Sequence, residues 1–165
     1  MALLITYAEF TANTAFSGNI DENLITTHIQ TAQDIDLRYF LGQKLVEKLE
    51  TDYSGGSISG YYATLRSTYV IPVLANYAAA YAMPFMGFKI AKGGVYQVDD
   101  GERTVAATST DIKYLAENFR NTAQYYADRT SDYIIANSNQ FPEFYTNVSG
   151  DVYPKNRPFR TSILL

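Results

Sequence analysis

The chain has 165 residues, 47% of them hydrophobic, enough for one domain with a core that needs no covalent staples. It has no cysteine and a single histidine, His28, which excludes disulfides, thiolate chemistry, iron–sulfur clusters and multi-histidine metal sites. Seventeen acidic against thirteen basic residues give a net charge of −4, the opposite of what a non-specific nucleic-acid binder needs.

In chain order, Thr6-Tyr7-Ala8-Glu9 fits a capping box and opens a short helix. Asn19-Ile20-Asp21-Glu22 is a second helix start. From there Ile25, His28, Ile29, Ala32, Ile35 and Tyr39 recur at steps of three and four, the pattern of an amphipathic helix. Asp34 and Asp36 mark a kink near its end. Gly42 punctuates, and Leu41, Leu45, Val46 and Leu49 continue a helical stripe to about Glu50.

Ser54-Gly55-Gly56-Ser57 reads as a loop. Ile58 to Thr68 predicts a short helix with Tyr62 and Leu65 inward. Pro72 then sits in the first turn of a separate helix, where its missing N–H costs nothing. That helix carries Val73, Leu74, Tyr77, Ala78, Tyr81 and Ala82 with almost no polar face, and Pro84 and Gly87 end it. Between Tyr53 and Phe88 the only charge is Arg66. The stretch is bounded by prolines and rich in alanine, so it reads as a buried central helix rather than a membrane span. The opening Met1-Ala2-Leu3-Leu4-Ile5 lacks a basic flank and a cleavage pattern, so no signal peptide is expected.

Phe88–Ala91 and Val95–Val98 flank Lys92-Gly93-Gly94, whose glycines suit a tight turn. Asp99-Asp100-Gly101 is a further turn, with Arg103-Thr104-Val105 as a possible third strand. A projecting β-hairpin over about 88–105 is therefore expected. Thr108-Ser109-Thr110-Asp111 starts a helix of roughly 27 residues, about 40 Å long. Its stripe is Ile112, Leu115, Ala116, Phe119, Ala123, Tyr126, Thr130, Tyr133 and Ile134, and Phe141-Pro142 closes it. Beyond Asn147 no period appears. Pro154 and Pro158 forbid helix there, while Tyr153, Phe159, Ile163, Leu164 and Leu165 are apolar and Lys155, Arg157 and Arg160 are basic. Such a segment wants to dock, either on its own domain or on a neighbouring subunit or another protein.

The expected class is thus mainly α: a helical bundle with one long C-terminal helix, an inserted β-hairpin and an extended C-terminal arm. Residues 1–140 would form the helical domain and 141–165 the arm. Contacts are expected from the arm through Tyr153, Arg157, Phe159, Arg160, Ile163 and Leu164. The hairpin would add Lys92, Tyr96, Asp99 and Asp100.

Chemistry is thinly represented. His28 lies within an apolar stripe and reads as a core or interface histidine. Asp99, Asp100 and Glu102 could hold a cation or transfer a proton. Their place at a glycine-bearing turn explains them without catalysis. Lys92-Gly93-Gly94 lacks the spacing of a phosphate loop. No catalytic, cofactor or metal site is predicted. The fifteen tyrosines, by contrast, are a residue type that suits half-buried faces and protein interfaces.

The order of these features resembles the head-to-tail connector (adaptor) proteins of tailed bacteriophages, in particular versions from Bacteroides and crAss-like phages. The residues that carry the likeness are Leu4-Ile5-Thr6-Tyr7-Ala8-Glu9-Phe10 and Asn19-Ile20-Asp21, then a helix with Ile25, Ile29 and Ala32-Gln33. Tyr39-Phe40-Leu41-Gly42, Leu45-Val46-Glu47-Lys48-Leu49 and the closing Asn139-Gln140-Phe141-Pro142 complete it. The resemblance implies a virion structural protein, not an enzyme. It would form a homo-oligomeric, dodecameric ring at the head–tail interface, after assembly in the host cytoplasm. A portal protein would bind one face, and another connector or a tail protein the other. DNA would pass through without specific binding, and no membrane or cofactor would be involved. The alternative is a small helical interaction or regulatory module, with nucleic acid among its candidate partners.

Overall fold

A computed structural model describes residues 2–16, 20–86, 88–91, 94–97, 108–146 and 153–154. The first helix, α1 (Tyr7–Ala12), is set by the expected capping box: the Thr6 hydroxyl accepts from Glu9 N and the Glu9 side chain accepts from Thr6 N. α2 (Glu22–Ala32) starts at Asp21, whose carboxylate accepts from Asn23 N. Its Ile25, His28, Ile29 and Ala32 are buried, as the stripe predicts.

The stripe then fails at Ile35 and Tyr39, which are exposed. The reason is a π-helical turn, Gln33–Leu37, joining α2 directly to α3 (Arg38–Leu41). A π turn fits one extra residue into the helix and rotates everything after it. Leu37, Phe40 and Leu41 consequently face the core instead. Gln33 within this turn is fully buried, with Leu4 N donating to its Oε1 (2.8 Å) and its Nε2 donating to Ala2 O (2.9 Å) and Glu50 Oε1 (2.9 Å).

Gly42 separates α3 from α4 (Gln43–Ser54) with φ of +77° and ψ of 158°, a region essentially restricted to glycine. Leu45, Val46 and Leu49 of α4 are buried as expected.

The two helices expected over 58–84 are one. α5 (Gly60–Thr64), a second π turn (Leu65–Val70) and α6 (Ile71–Met86) run without a break. Pro72 neither starts a helix nor breaks one. The wider π bonding, in which Ile71 N donates to Arg66 O, relieves the ladder just where the proline lacks a donor. α6 also continues past Pro84 to Met86. Gly60–Met86 is long and apolar enough to cross a membrane by length and composition alone, but 61% of its most apolar window is buried inside the protein. Its lone charge, Arg66, is buried and fully engaged. Nε donates to Leu4 O (2.8 Å), Nη2 lies 2.8–2.9 Å from both Glu9 oxygens, and the guanidinium stacks 3.9 Å from the Tyr53 ring. This cation pins the N-terminal segment to the central helix.

α7 (Ser109–Ala136) spans 28 residues behind a Thr108/Asp111 capping box. It packs antiparallel to α5–α6: Tyr69 stacks on Tyr133 (4.4 Å between ring centres) and Tyr77 Oη lies 3.3 Å from Gln124 Oε1. α2–α3 also runs antiparallel to α6, with His28 against Phe85, and Tyr81 Oη donating to Asp36 Oδ2 (2.8 Å). α6 is thus the central rod between α2–α3 and α7. Past α7, two short 3₁₀ turns, Ser138–Gln140 and Pro142–Phe144, bring Phe141 and Phe144 fully into the core. Tyr62 Oη ties the second turn down by donating to Glu143 Oε2 (2.7 Å).

The expected fold class needs correction. The architecture is helical, and the β-hairpin insertion of about 88–105 is not part of it. Among the described residues the extended backbone is confined to two four-residue segments, Phe88–Ala91 and Gly94–Gln97, paired antiparallel in the register Phe88 to Gln97. Eight residues make a local turn-back after α6, not a layer of the fold, because a lone two-stranded pair carries little stability of its own. The third strand expected at 103–105 and the turn at 99–101 lie outside the described residues.

Candidate functional site

The most informative element is α7, because its two halves differ. From Ala123 onward the face toward α6 is sealed: Ala123, Ala127, Thr130, Ser131 and Ile134 are buried. Between Ser109 and Thr122 no residue is buried. The sequence places Leu115 and Phe119 on the inward stripe, and the helix does turn them toward one flank of α6. Nothing in the described chain covers them fully, and Leu115 remains 42% exposed. That flank opens into an apolar cavity of about 370 Å³ lined by Ala15, Phe16, Ile20, Met83, Leu115 and Phe119. Tyr114, on the outer face, is 67% exposed.

The other flank of the same half of α7 forms one wall of a groove. α6 is its floor, and the π turn and α3 wall its lower part. Its upper part, about 460 Å³, is lined by Ala80, Pro84 and Ile112 together with the charged Lys113, Glu117 and Arg120. Its lower part, about 270 Å³, lies among Ile35, Asp36, Tyr39, Tyr77, Arg120 and Gln124, so Arg120 joins the two. The π turn of α2–α3 is what aims Ile35 and Tyr39 into this groove rather than into the core. Burial pushes the Asp36 carboxyl up, only partly offset by the Tyr81 hydroxyl and the Arg120 charge. The same burial, together with Asp36, pushes Tyr81 up to about 12.

His28 is buried and stacked on Phe85, 5.1 Å between ring centres. Burial holds its pKa below the ordinary value of 6.5, as expected of a neutral core histidine. Among the described residues no three His, Asp or Glu side chains gather closely enough to hold a metal ion.

Of the contact residues expected in the arm, only Tyr153 is described. It is 47% exposed, next to a buried Pro154. Arg157, Phe159, Arg160, Ile163 and Leu164 lie outside the described residues. In the hairpin, Tyr96 pairs with Lys89 through the backbone, and Lys92, Asp99 and Asp100 lie outside the described residues. Ile35 and Leu115, expected on inward stripes, are exposed, and so is Tyr114, for which the sequence carried no expectation. Helical period identifies a face, but it does not say whether the chain supplies a cover for it.

Residues 37–153, from the last residue of the first π turn into the expected arm, match DUF6712, a family of unknown function. The chain belongs to the DUF6712 family. The DUF6712 match takes in the whole of α3 to α7 and leaves α1 and α2 outside it. No curated protein and no solved structure matches this DUF6712 chain significantly.

Proposed function

We propose that this protein is a virion structural component that assembles by head-to-tail repetition into a ring between portal and tail. The observation that carries the reading is the uncovered N-terminal half of α7, where Tyr114, Leu115 and the cavity beside Phe119 form an apolar surface on a well-packed bundle. Exposed apolar ground next to a formed cavity favours protein contact. Two different surfaces meeting repeatedly around an axis close into a ring when the rotation between copies closes. The order of sequence features shared with phage connectors supplies the rest of the reading. In it, the portal protein sits against one end of the ring and another connector or tail protein against the other, with DNA passing through unbound.

The test is quantitative mass spectrometry of purified virions from the source of the chain. About twelve copies per particle, the number that the likeness to phage connectors implies, supports the reading, because a closed ring has a fixed copy number. Hundreds of copies would move the protein to the shell or tail tube. Absence from the particle would overturn the reading in favour of a helical interaction or regulatory module.

A further inference from the structure

A contact that repeats head to tail needs two different surfaces on each copy, and the open flank of α7 beside Leu115 and Phe119 is only one of them. The groove on the opposite side of the same half of α7 has the features of the second. An unbroken α-helix would carry Ile35 and Tyr39 inward with the stripe of α2. The π turn sends them out instead, leaving Ile35 58% and Tyr39 44% exposed at the lower part of the groove. Ala80, Pro84 and Ile112 line the upper part. Exposed apolar side chains around a formed depression favour protein contact.

The two flanks also differ in charge. The open flank has an acidic rim: Asp21 and Glu22 follow Ile20, which lines its cavity, and Asp111 stands one turn before Leu115. All three acids are exposed. The groove carries the cations Lys113 and Arg120. Its two carboxylates are engaged within the chain, Glu117 at 3.6 Å from Arg120 and Asp36 accepting from Tyr81 Oη at 2.8 Å. Lys113 forms no ion pair among the described residues. We propose that the groove receives the Leu115 and Phe119 flank of a second copy, so that each chain offers one flank of α7 and takes its neighbour's on the other. Apolar ground then meets apolar ground, and the acidic rim meets Lys113. A face-to-face pairing of two open flanks would set acid against acid, which opposes docking. This inference rests on the ring proposed above and supplies the second surface that such a ring requires.

The chain has no cysteine of its own to interfere with the test. Cysteines are placed on both flanks, as Leu115→Cys with Ile35→Cys in one chain, and protein incorporated into particles is treated with a short bismaleimide. A ladder of linked copies, joined through the peptides that carry positions 35 and 115, is expected. Neither single variant should give one. Adding Lys113→Glu to the double variant should lower the yield about tenfold, because it sets like charges across the contact. Linkage of the Leu115→Cys variant to itself would show a face-to-face contact and overturn the proposal. Absence of the 35 to 115 link, with a photoreactive residue at 114 still joining two copies, would overturn the groove as receiver and leave the ring standing. Copies joined by neither route would overturn both. If the double variant does not enter particles, Leu115→Cys with Ser109→Cys, at the upper part of the groove, replaces it and is read in the same way.

Discussion

The two halves of α7 are made of similar residues, yet they behave differently. The C-terminal half buries Ala123, Ala127 and Ile134, stacks Tyr133 on Tyr69, and is closed by Phe141 and Phe144. The N-terminal half carries Ile112, Leu115, Ala116 and Phe119 at the same helical spacing but buries none of them. An apolar stripe is therefore a request for cover, and only half of that request is met within the described chain. The sealed half holds the bundle together. The open half is the surface on which the proposed assembly rests.

The comparison can be broken most severely from the sealed side. Phe141→Ala or Phe144→Ala should cost about 3–5 kcal/mol, because each ring is fully buried and its loss leaves a cavity. Urea denaturation checks it, and a loss below 1 kcal/mol would show that this end is not sealed. Gly42→Ala should cost about 1–3 kcal/mol, since it forces a side chain into a glycine-only conformation and onto Pro154.

Acid probes the link between Arg66 and the N-terminal segment. Burial alone would raise Glu9, but its bonds from Thr6 and Arg66 outweigh this and lower its pKa below the ordinary 4.5. A carboxylate depressed in the folded state contributes stability above its unfolded pKa and loses it as pH falls through the folded value. Stability should thus decline below about pH 4.5, and Glu9→Gln should flatten that decline. His28 acts in the same direction at higher pH. Its depressed pKa means that stability falls as pH drops below 6.5, and His28→Phe should remove that slope. Denaturation midpoints measured across a pH series check both.

The smallest expected effect on stability falls on the open half. Tyr114→Ser with Leu115→Ser should change unfolding free energy by no more than about 0.5 kcal/mol. The same variant should lose incorporation into particles. A large destabilisation would mean that this half is part of the core after all.

Much of this was legible in the sequence. Thr6/Glu9 and Thr108/Asp111 announced helix starts through residue chemistry that acts locally, and both capping boxes formed. The stripe of α4 and the glycine at 42 were equally local. The two π turns were not legible, because one inserted residue changes the period without changing the composition. Ile35 and Tyr39 were therefore assigned to the wrong face, and Pro72 was taken for a helix start. The hairpin expectation over-read a Gly-Gly pair: among the described residues the pairing is confined to Phe88–Ala91 and Gly94–Gln97. The partner of Arg66 was hidden because Glu9 is remote in sequence. The openness of α7 was hidden because cover depends on the whole fold and not on the helix itself.

The most direct test of the central claim is photo-crosslinking from position 114, with a photoreactive phenylalanine replacing Tyr114, in protein incorporated into particles. A product joining two copies of this chain is predicted. Crosslinks found only within one chain, or none at all, would contradict the assignment of the open half of α7 as the contact between subunits.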